Sequence, residues 1–456
     1  MSTGSFQVVK TQHNISSHYH ALAPYQRLPF ELLVEIFVQC ISASGFEELT
    51  RHYLTNPFLC VHWMYPHHIR ARLALVCRAW CIVIYNDPRV WTTMVLLDTL
   101  THPEMISLWL KKSKSMPLVV FIHCRIGWGL DSVFSMLHKE MWRIRCLFLD
   151  ISIKTDLSAL FPLDISTNAP MLQSLALFRP FTVLYRHAVR LGDIHCPELR
   201  TLFLNDEIKS MTVRPFKNVH HLSVNQIHDI YVDNGSLAYL KLLEALPNLV
   251  SLKWSSRSSN HCTLVSVEVP SIVLQSLESL TLHLCCKGMM TSILKGLHVP
   301  SLERLVLLVE ECYDLTESTD AICDTLDRLR HLTLLNISLG SGVHALLNHL
   351  KHLETITIEK LHGANLDELF IALSSHNRDS SIPYPSLKTV DISYSVEGCM
   401  DPDVLVHFVQ QRVKSDLDDP APGLVTCLKL SFRRCYDKEL CAQLVKTHSS
   451  SISFLD

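Results

Sequence analysis

The residues best suited to chemistry crowd between positions 60 and 77: Cys60, His62, His67 and His68, with Cys77 further on. Thiolate sulfur and imidazole nitrogen are the ligands that hold zinc in tetrahedral sites. This spacing fits no common zinc motif, and Cys77 falls on a helix face that needs it for packing. Packing and surface histidines are therefore expected, and no metal. Cys285 and Cys286 are adjacent, not two residues apart as redox and zinc pairs are. With 16 Cys and 26 His, a Cys–His nucleophile pair can arise in any fold, and nothing in the sequence favours one. The chain has no phosphate-cradling Gly-x-x-x-x-Gly-Lys loop, no Gly-x-Ser-x-Gly elbow and no His-Glu-x-x-His helix. It reads as non-catalytic and without a cofactor.

Composition narrows the partners. The chain has 456 residues, 48% of them hydrophobic, enough to bury a large core. Its formal charge is 41 minus 44, or -3, which gives no electrostatic reason to expect nucleic acid. The longest apolar runs, such as Leu118 to Ile122, are strand-sized, so no membrane partner is expected. The opening residues are polar, with no secretory signal, and glycine stands at position 4, not position 2 where myristoylation needs it. Cysteines spread through such a chain read as free thiols of a reducing compartment. Cys146 and Cys427 are expected to pack as small hydrophobes, and the location to be intracellular, cytoplasmic or nuclear.

What would position any functional residue is a repeated triplet of apolar residues: one, two variable positions, one, a single variable position, one. It occurs at Ile144-Leu147-Leu149, Leu172-Leu175-Leu177, Leu199-Leu202-Leu204, Val219-Leu222-Val224, Leu249-Leu252-Trp254 and Leu277-Leu280-Leu282. It continues at Leu302-Leu305-Leu307, Leu332-Leu335-Ile337, Leu353-Ile356-Ile358, Leu387-Val390-Ile392 and Val425-Leu428-Leu430. Two apolar residues at spacing two lie on one face of a strand, with the third packing just before it. The series resembles a leucine-rich repeat, in irregular form. Pro180, Glu207 and Ile227 stand where regular repeats carry Asn or Cys, so no continuous Asn ladder is expected. The fold class is α/β, with parallel strands inside and helices outside across 96–456. Leu237–Leu246 and Leu366–Leu373 are expected helices, and Ser415–Gly423 a loop. The residues between core positions include Phe203, Lys253 and Arg304, the candidate contacts for a target, since aromatic and Arg residues are enriched among interface anchors.

The N-terminal 95 residues differ. Residues 1–22 read as a polar tail. From Leu28 the chain predicts a helix, with Pro29 and Glu31 in its first turn and Leu32, Leu33, Ile36, Phe37 and Cys40 as an apolar stripe. Residues 42–69 read as an insertion. A second helix is expected from Ile69 to Tyr85, with Leu73, Val76, Cys77, Trp80 and Ile84 on one face, ended by Asn86-Asp87-Pro88. Trp91 then enters an extended stretch, Val90–Leu97, and Pro103–Cys124 reads as a helix–turn–strand unit.

Three blocks carry a resemblance: Leu28-Pro29-x-Glu31-Leu32-Leu33-x-x-Ile36-Phe37, Leu75-Val76-Cys77-Arg78-x-Trp80, and Asp87-Pro88-x-x-Trp91. In this order they resemble an F-box, closest to the F-box-like family abundant in fungi, over roughly residues 23–95. The connection between the helices is longer than is usual in that family. The resemblance implies docking on the Skp-type adaptor of an SCF-type cullin–RING ubiquitin ligase. Leu28, Pro29, Leu32, Leu33, Ile36, Phe37, Val76, Cys77 and Trp80 match the family's contact positions. The repeats would then recruit a protein target whose identity the chain does not encode. The alternative from a different class is a leucine-rich-repeat interaction scaffold whose N-terminal helices are only a cap. Exposure of the first helical stripe separates the two.

Overall fold

The structure, a computed structural model, describes residues 28–42, 66–97, 102–124, 130–151, 160–161, 167–178, 194–205, 216–226, 242–256, 271–284, 287–314, 326–338, 346–347, 349–359, 366–374, 384, 386–393, 401–413, 428–433 and 452–455. The expected tail, nearly all of the 42–69 insertion, Cys60, His62, Cys285, Cys286, the three positions that replace the Asn ladder and the loop Ser415–Gly423 lie outside them. Among the described residues no helix is long and apolar enough to cross a membrane. The chain divides into two compact units, Met1–Thr155 and Asp156–Asp456.

In the first unit, helix α1 spans Phe30–Ser42. The Leu33 amide donates to the Pro29 carbonyl at 3.1 Å, closing the first turn. The single helix expected over 69–85 is two: α2, Pro66–Ala74, and α3, Arg78–Asn86. Nothing local forces the break, since no Gly or Pro lies in it. The amides of Leu75 and Val76 turn back on Arg72 and Leu73, and Cys77 is fully extended as the N-cap of α3. Tertiary demands override helix propensity here. The break lets α2 aim Arg70 at the chain after Pro88 while α3 sets Trp80 against α1 (the Phe37 and Trp80 rings meet edge to face, centroids 4.8 Å apart).

After α3, Pro88–Trp91 forms a 3-10 turn. Strand β1 (Thr93–Leu97), helix α4 (Pro103–Lys112), strand β2 (Leu118–Cys124), helix α5 (Leu130–Glu140) and strand β3 (Ile144–Ile151) follow. The extended stretch expected from Val90 thus begins three residues later, and the expected helix–turn–strand unit is α4 and β2. The strands pair in parallel, Met94 beside Val120 and Val120 beside Leu147. Fully buried Arg143 ties helix to strand: its Nη2 donates to the Leu110 carbonyl (3.2 Å) and Nη1 to Ser113 Oγ (3.0 Å) and the Met116 carbonyl (3.1 Å). Leu110 lies in the last turn of α4, where carbonyls lack intrahelical partners, and Ser113 and Met116 follow it in the turn to β2.

The second unit is a large parallel sheet. Its strands are β5 (Ser174–Phe178), β7 (Thr201–Asn205), β8 (His221–Gln226), β9 (Ser251–Ser256), β11 (Ser279–Leu284), β13 (Arg304–Asp314), β14 (His331–Ser338), β15 (Thr355–Glu359), β16 (Thr389–Ser393), β17 (Leu428–Arg433) and β18 (Ile452–Leu455), neighbours in that order. Two-residue strands β4 (Thr167–Asn168) and β6 (Ile194–His195) pair with each other, as do β10 (Ile272–Val273) and β12 (Leu297–His298). Helices α6 (Lys287–Gly296), α7 (Leu366–Ser374) and α8 (Pro402–Val413) lie in the connections. Of the two expected helices, α7 covers Leu366–Leu373. The 237–246 pattern is described only from 242, where 242–244 are helical.

Wherever their side chains are described, the triplets are buried core positions, with one exception in register. One is shifted: pairing sets Leu305 beside Leu332 and Leu307 beside Leu334. The repeat is therefore Leu329-Leu332-Leu334, all buried, and Leu335 lies on the opposite face. Both readings satisfy the spacing, and only the register decides.

Each repeat also holds a fourth apolar position, three residues before the triplet. Ala169, Cys196, Phe216, Leu246, Leu274, Val299, Leu326, Leu350 and Tyr384 are all buried there. Each carbonyl accepts from the first triplet amide at 3.0–3.4 Å, closing a β-turn. Pro170, Pro197, Pro247 and Pro300 fill the second turn position, which a φ near −65° suits. The turns are chained to one another. The carbonyls of Gln173, Arg200, His220, Val250, Glu278, Glu303, Arg330 and Glu354 each accept two successive amides from the next repeat, at 2.8–3.1 Å. Asn248 Nδ2 adds a bond to the Lys217 carbonyl (2.8 Å).

Candidate functional site

Helix α1 is apolar on two faces. Leu33, Val34, Phe37 and Ile41 point inward and are buried. Leu32 and Ile36, one turn apart, are 53% and 45% exposed, and Leu28, Pro29 and Phe30 continue this outward face. A helix that stands in water needs one apolar stripe, so a second stripe marks a surface built for contact. Glu31, Glu35 and Gln39 flank it and keep it wet.

The second block behaves alike. Val76 and Leu75, in the turn between α2 and α3, are exposed, as are Ile82 and Tyr85 on α3, while Val83 and Ile84 are buried. Cys77 and Trp80 are half-buried. The nine expected contact residues therefore divide. Leu28, Pro29, Leu32, Ile36 and Val76 are exposed, Cys77 and Trp80 lie at the margin, and Leu33 and Phe37 belong to the core of the helices. Phe30, Leu75, Ile82 and Tyr85 are further exposed apolar residues of the same elements, outside the nine. Their signal was present, since they are the apolar residues left over once the inward stripe is assigned.

The third block is a set of hydrogen bonds. Asp87 caps the 3-10 turn, its carboxylate accepting from the Arg89 amide (2.9 Å) and from both sides of the Arg89 guanidinium (3.1 and 3.0 Å). Burial raises the Asp87 pKa, but these bonds and the Arg89 charge outweigh it and hold the carboxyl below its ordinary value. Trp91 Nε1 donates to the Ile84 carbonyl at 2.7 Å, closing the end of α3. Arg70 reaches in from α2. Its Nη1 donates to the carbonyls of Val90 (3.0 Å) and Thr93 (3.1 Å), and its guanidinium lies 5.0 Å from the Trp91 ring and 5.3 Å from that of Trp109. Two indole faces substitute for a carboxylate. Burial pushes its pKa down to about 10, so it stays charged at neutral pH.

Of the potential metal ligands, His67 and His68 sit with their rings 4.3 Å apart, and the His67 ring stacks near Trp109. Burial, with His68 and Arg70 beside it, pushes the His67 pKa down to about 4. Among the described residues no group of three or more His, Cys, Asp or Glu side chains converges. Cys124, Cys146 and Cys196 are buried, and burial pushes the Cys196 thiol up to about 12, out of reach as a nucleophile. An unforeseen pair is His123 Nδ1 with Asp150, neighbours across β2 and β3. Burial raises the Asp150 pKa to about 7. The pair lies 27 residues apart in sequence, where no local spacing signals it.

The three expected target-contact residues share one face of the second unit's sheet. Phe203 and Lys253 stand in one row across β7, β8 and β9, and Arg304 stands one row earlier on β13. No protein-family model matches the chain, and a search of curated proteins finds no relative.

Proposed function

We propose that this chain is a substrate-recognition subunit of an SCF-type cullin–RING ubiquitin ligase. The observation that carries the proposal is the outward stripe of α1. Leu32 and Ile36 remain exposed although Leu33, Val34, Phe37 and Ile41 already supply that helix with a buried face. Together with exposed Val76 and the three-block resemblance, this supports a helical surface completed by a Skp-type adaptor and, through it, a cullin. The repeats would hold an unidentified protein target. No residue of the chain needs to do chemistry, since bringing a target lysine near a charged conjugating enzyme raises its effective concentration. Such a subunit would work in the cytoplasm or nucleus.

The inward stripe favours a second reading, a leucine-rich-repeat scaffold with a helical cap, because a cap uses only that face. Co-purification with a Skp-type adaptor separates the two. Wild type and the control Lys111→Glu, an exposed site on α4, should bind. Ile36→Asp should fold, with unchanged circular dichroism, and fail to bind. Folded wild type that does not bind would leave the scaffold reading.

A further inference from the structure

Two serines share the basic run Lys111-Lys112-Ser113-Lys114-Ser115, which ends α4 and leads to β2, and the fold separates them. Ser113 is fully buried. Its hydroxyl donates to the Leu110 carbonyl (3.0 Å) and accepts from Arg143 Nη1 (3.0 Å), so no enzyme reaches it while the fold is intact. Lys114 takes the left-handed conformation (φ 51) and turns the chain out of the helix. Ser115 follows it, exposed, and makes no hydrogen bond among the described residues. Lys111 and Lys114 are exposed beside it. Lys112 is engaged: its Nζ donates to the Tyr85 carbonyl (3.0 Å) and lies 5.7 Å from the centre of that ring. It thereby caps one of the last carbonyls of α3, which lack partners within the helix, as Trp91 Nε1 caps that of Ile84.

We infer that Ser115 is a phosphorylation site for a serine kinase that selects basic residues before its acceptor, and that its phosphate draws Lys112 away from α3. The kinase moves the γ-phosphoryl group of ATP onto Ser115 Oγ. The bond to the β-phosphate oxygen breaks, ADP leaves, and the hydroxyl proton passes to the catalytic base of the kinase. The added group carries a charge of about −1.5 to −2 at neutral pH. It stands at the negative end of the α4 dipole, where only nearby cations offset it. Lys112, three residues back and still in the last turn of α4, is within reach. Its ammonium gains more from a phosphate dianion than from a neutral carbonyl. The end of α3 then loses one of its caps. Ser113 cannot substitute, because the groups that bury it also occupy its hydroxyl.

The test uses the full chain, magnesium ATP and the catalytic domain of a serine kinase that requires a basic residue three positions before its acceptor. Mass spectrometry should place phosphate on Ser115 and none on Ser113. Ser115→Ala should leave this segment unmodified. Lys112→Gln removes one charge contact with the kinase and should slow the reaction about tenfold. Hydrogen exchange over residues 78–87 should quicken in the phosphorylated chain, most at Tyr85 and Asn86. Lys112→Gln should quicken it to the same extent without phosphate, while Lys139→Glu, exposed on α5, should not. An unmodified Ser115 in the folded chain would overturn the site, whether or not a synthetic peptide of residues 108–120 is modified. Modification that leaves exchange at the end of α3 unchanged would overturn the pull on Lys112.

Discussion

The early and the later strands of the chain use their faces differently. In the first unit, β1 is buried from Met94 to Leu97 and β3 from Cys146 to Ile151, on both faces. In the second, β11 alternates strictly between buried and half-exposed residues, and so does β15. The sequences follow suit: Met94-Val95-Leu96-Leu97 is continuously apolar, while Ser279-Leu280-Thr281-Leu282 alternates. A strand covered on both sides has no reason to alternate, and one with an open face must. The same repeat thus yields strands covered on both faces at β1, β3 and β5, whose five residues are all buried, and open ones at β11 and β15.

Substitutions can break or sharpen this contrast. The largest effect is expected at Phe37, buried against Trp80: Phe37→Ala should cost about 3–5 kcal/mol in denaturant unfolding, which would show that the inward stripe of α1 is core. On β3, Leu147→Ala and Phe148→Ala should each cost about 2–5 kcal/mol, because neighbouring residues there are both buried. On β11 only Leu280→Ala should do so, while Thr281→Ala should stay within about 0.5 kcal/mol. Equal costs at Leu280 and Thr281 would end the distinction. Arg70→Gln loses two hydrogen bonds and two indole contacts and should cost about 1–3 kcal/mol.

The smallest effect is a pH dependence. His67 has a folded pKa of about 4, below the ordinary value of about 6.5 that it regains on unfolding. Between those values the unfolded chain binds the proton more tightly, so stability falls as pH drops through about 6.5 toward about 4. Melting temperatures should therefore decline more steeply on acidification in wild type than in His67→Gln. Asp150, whose raised pKa acts in the opposite direction, is common to both proteins and cancels in the difference.

Much of this was legible from spacing alone. The triplets identify the parallel strands because burial of one face imposes a period of two. Phe203, Lys253 and Arg304 fall on a shared face for the same reason. What spacing could not supply came from contacts between distant residues. The slip at Leu332 needed the pairing with Leu305. The break at Leu75-Val76 arises from where Arg70 and Trp80 must reach, and no local residue announces it. The nine expected adaptor residues are all apolar, and apolarity cannot say which side of a helix is already taken. The turn residues from Ala169 to Tyr384 were readable, as an apolar residue three before each triplet and often followed by proline.

The chained turns carry a consequence for how such a chain can change over generations. The junction between successive repeats is made around each turn and along the strands, with the connections adding contacts in places, as where Phe370 meets Phe408. Successive triplets lie anywhere from Leu199 to Val219 or from Leu353 to Leu387 apart, yet the strands stay in register. Insertions and deletions between strands are therefore close to neutral for the sheet. This sequence can acquire new surface at the connections while the ladder that measures out its strands stays as it is.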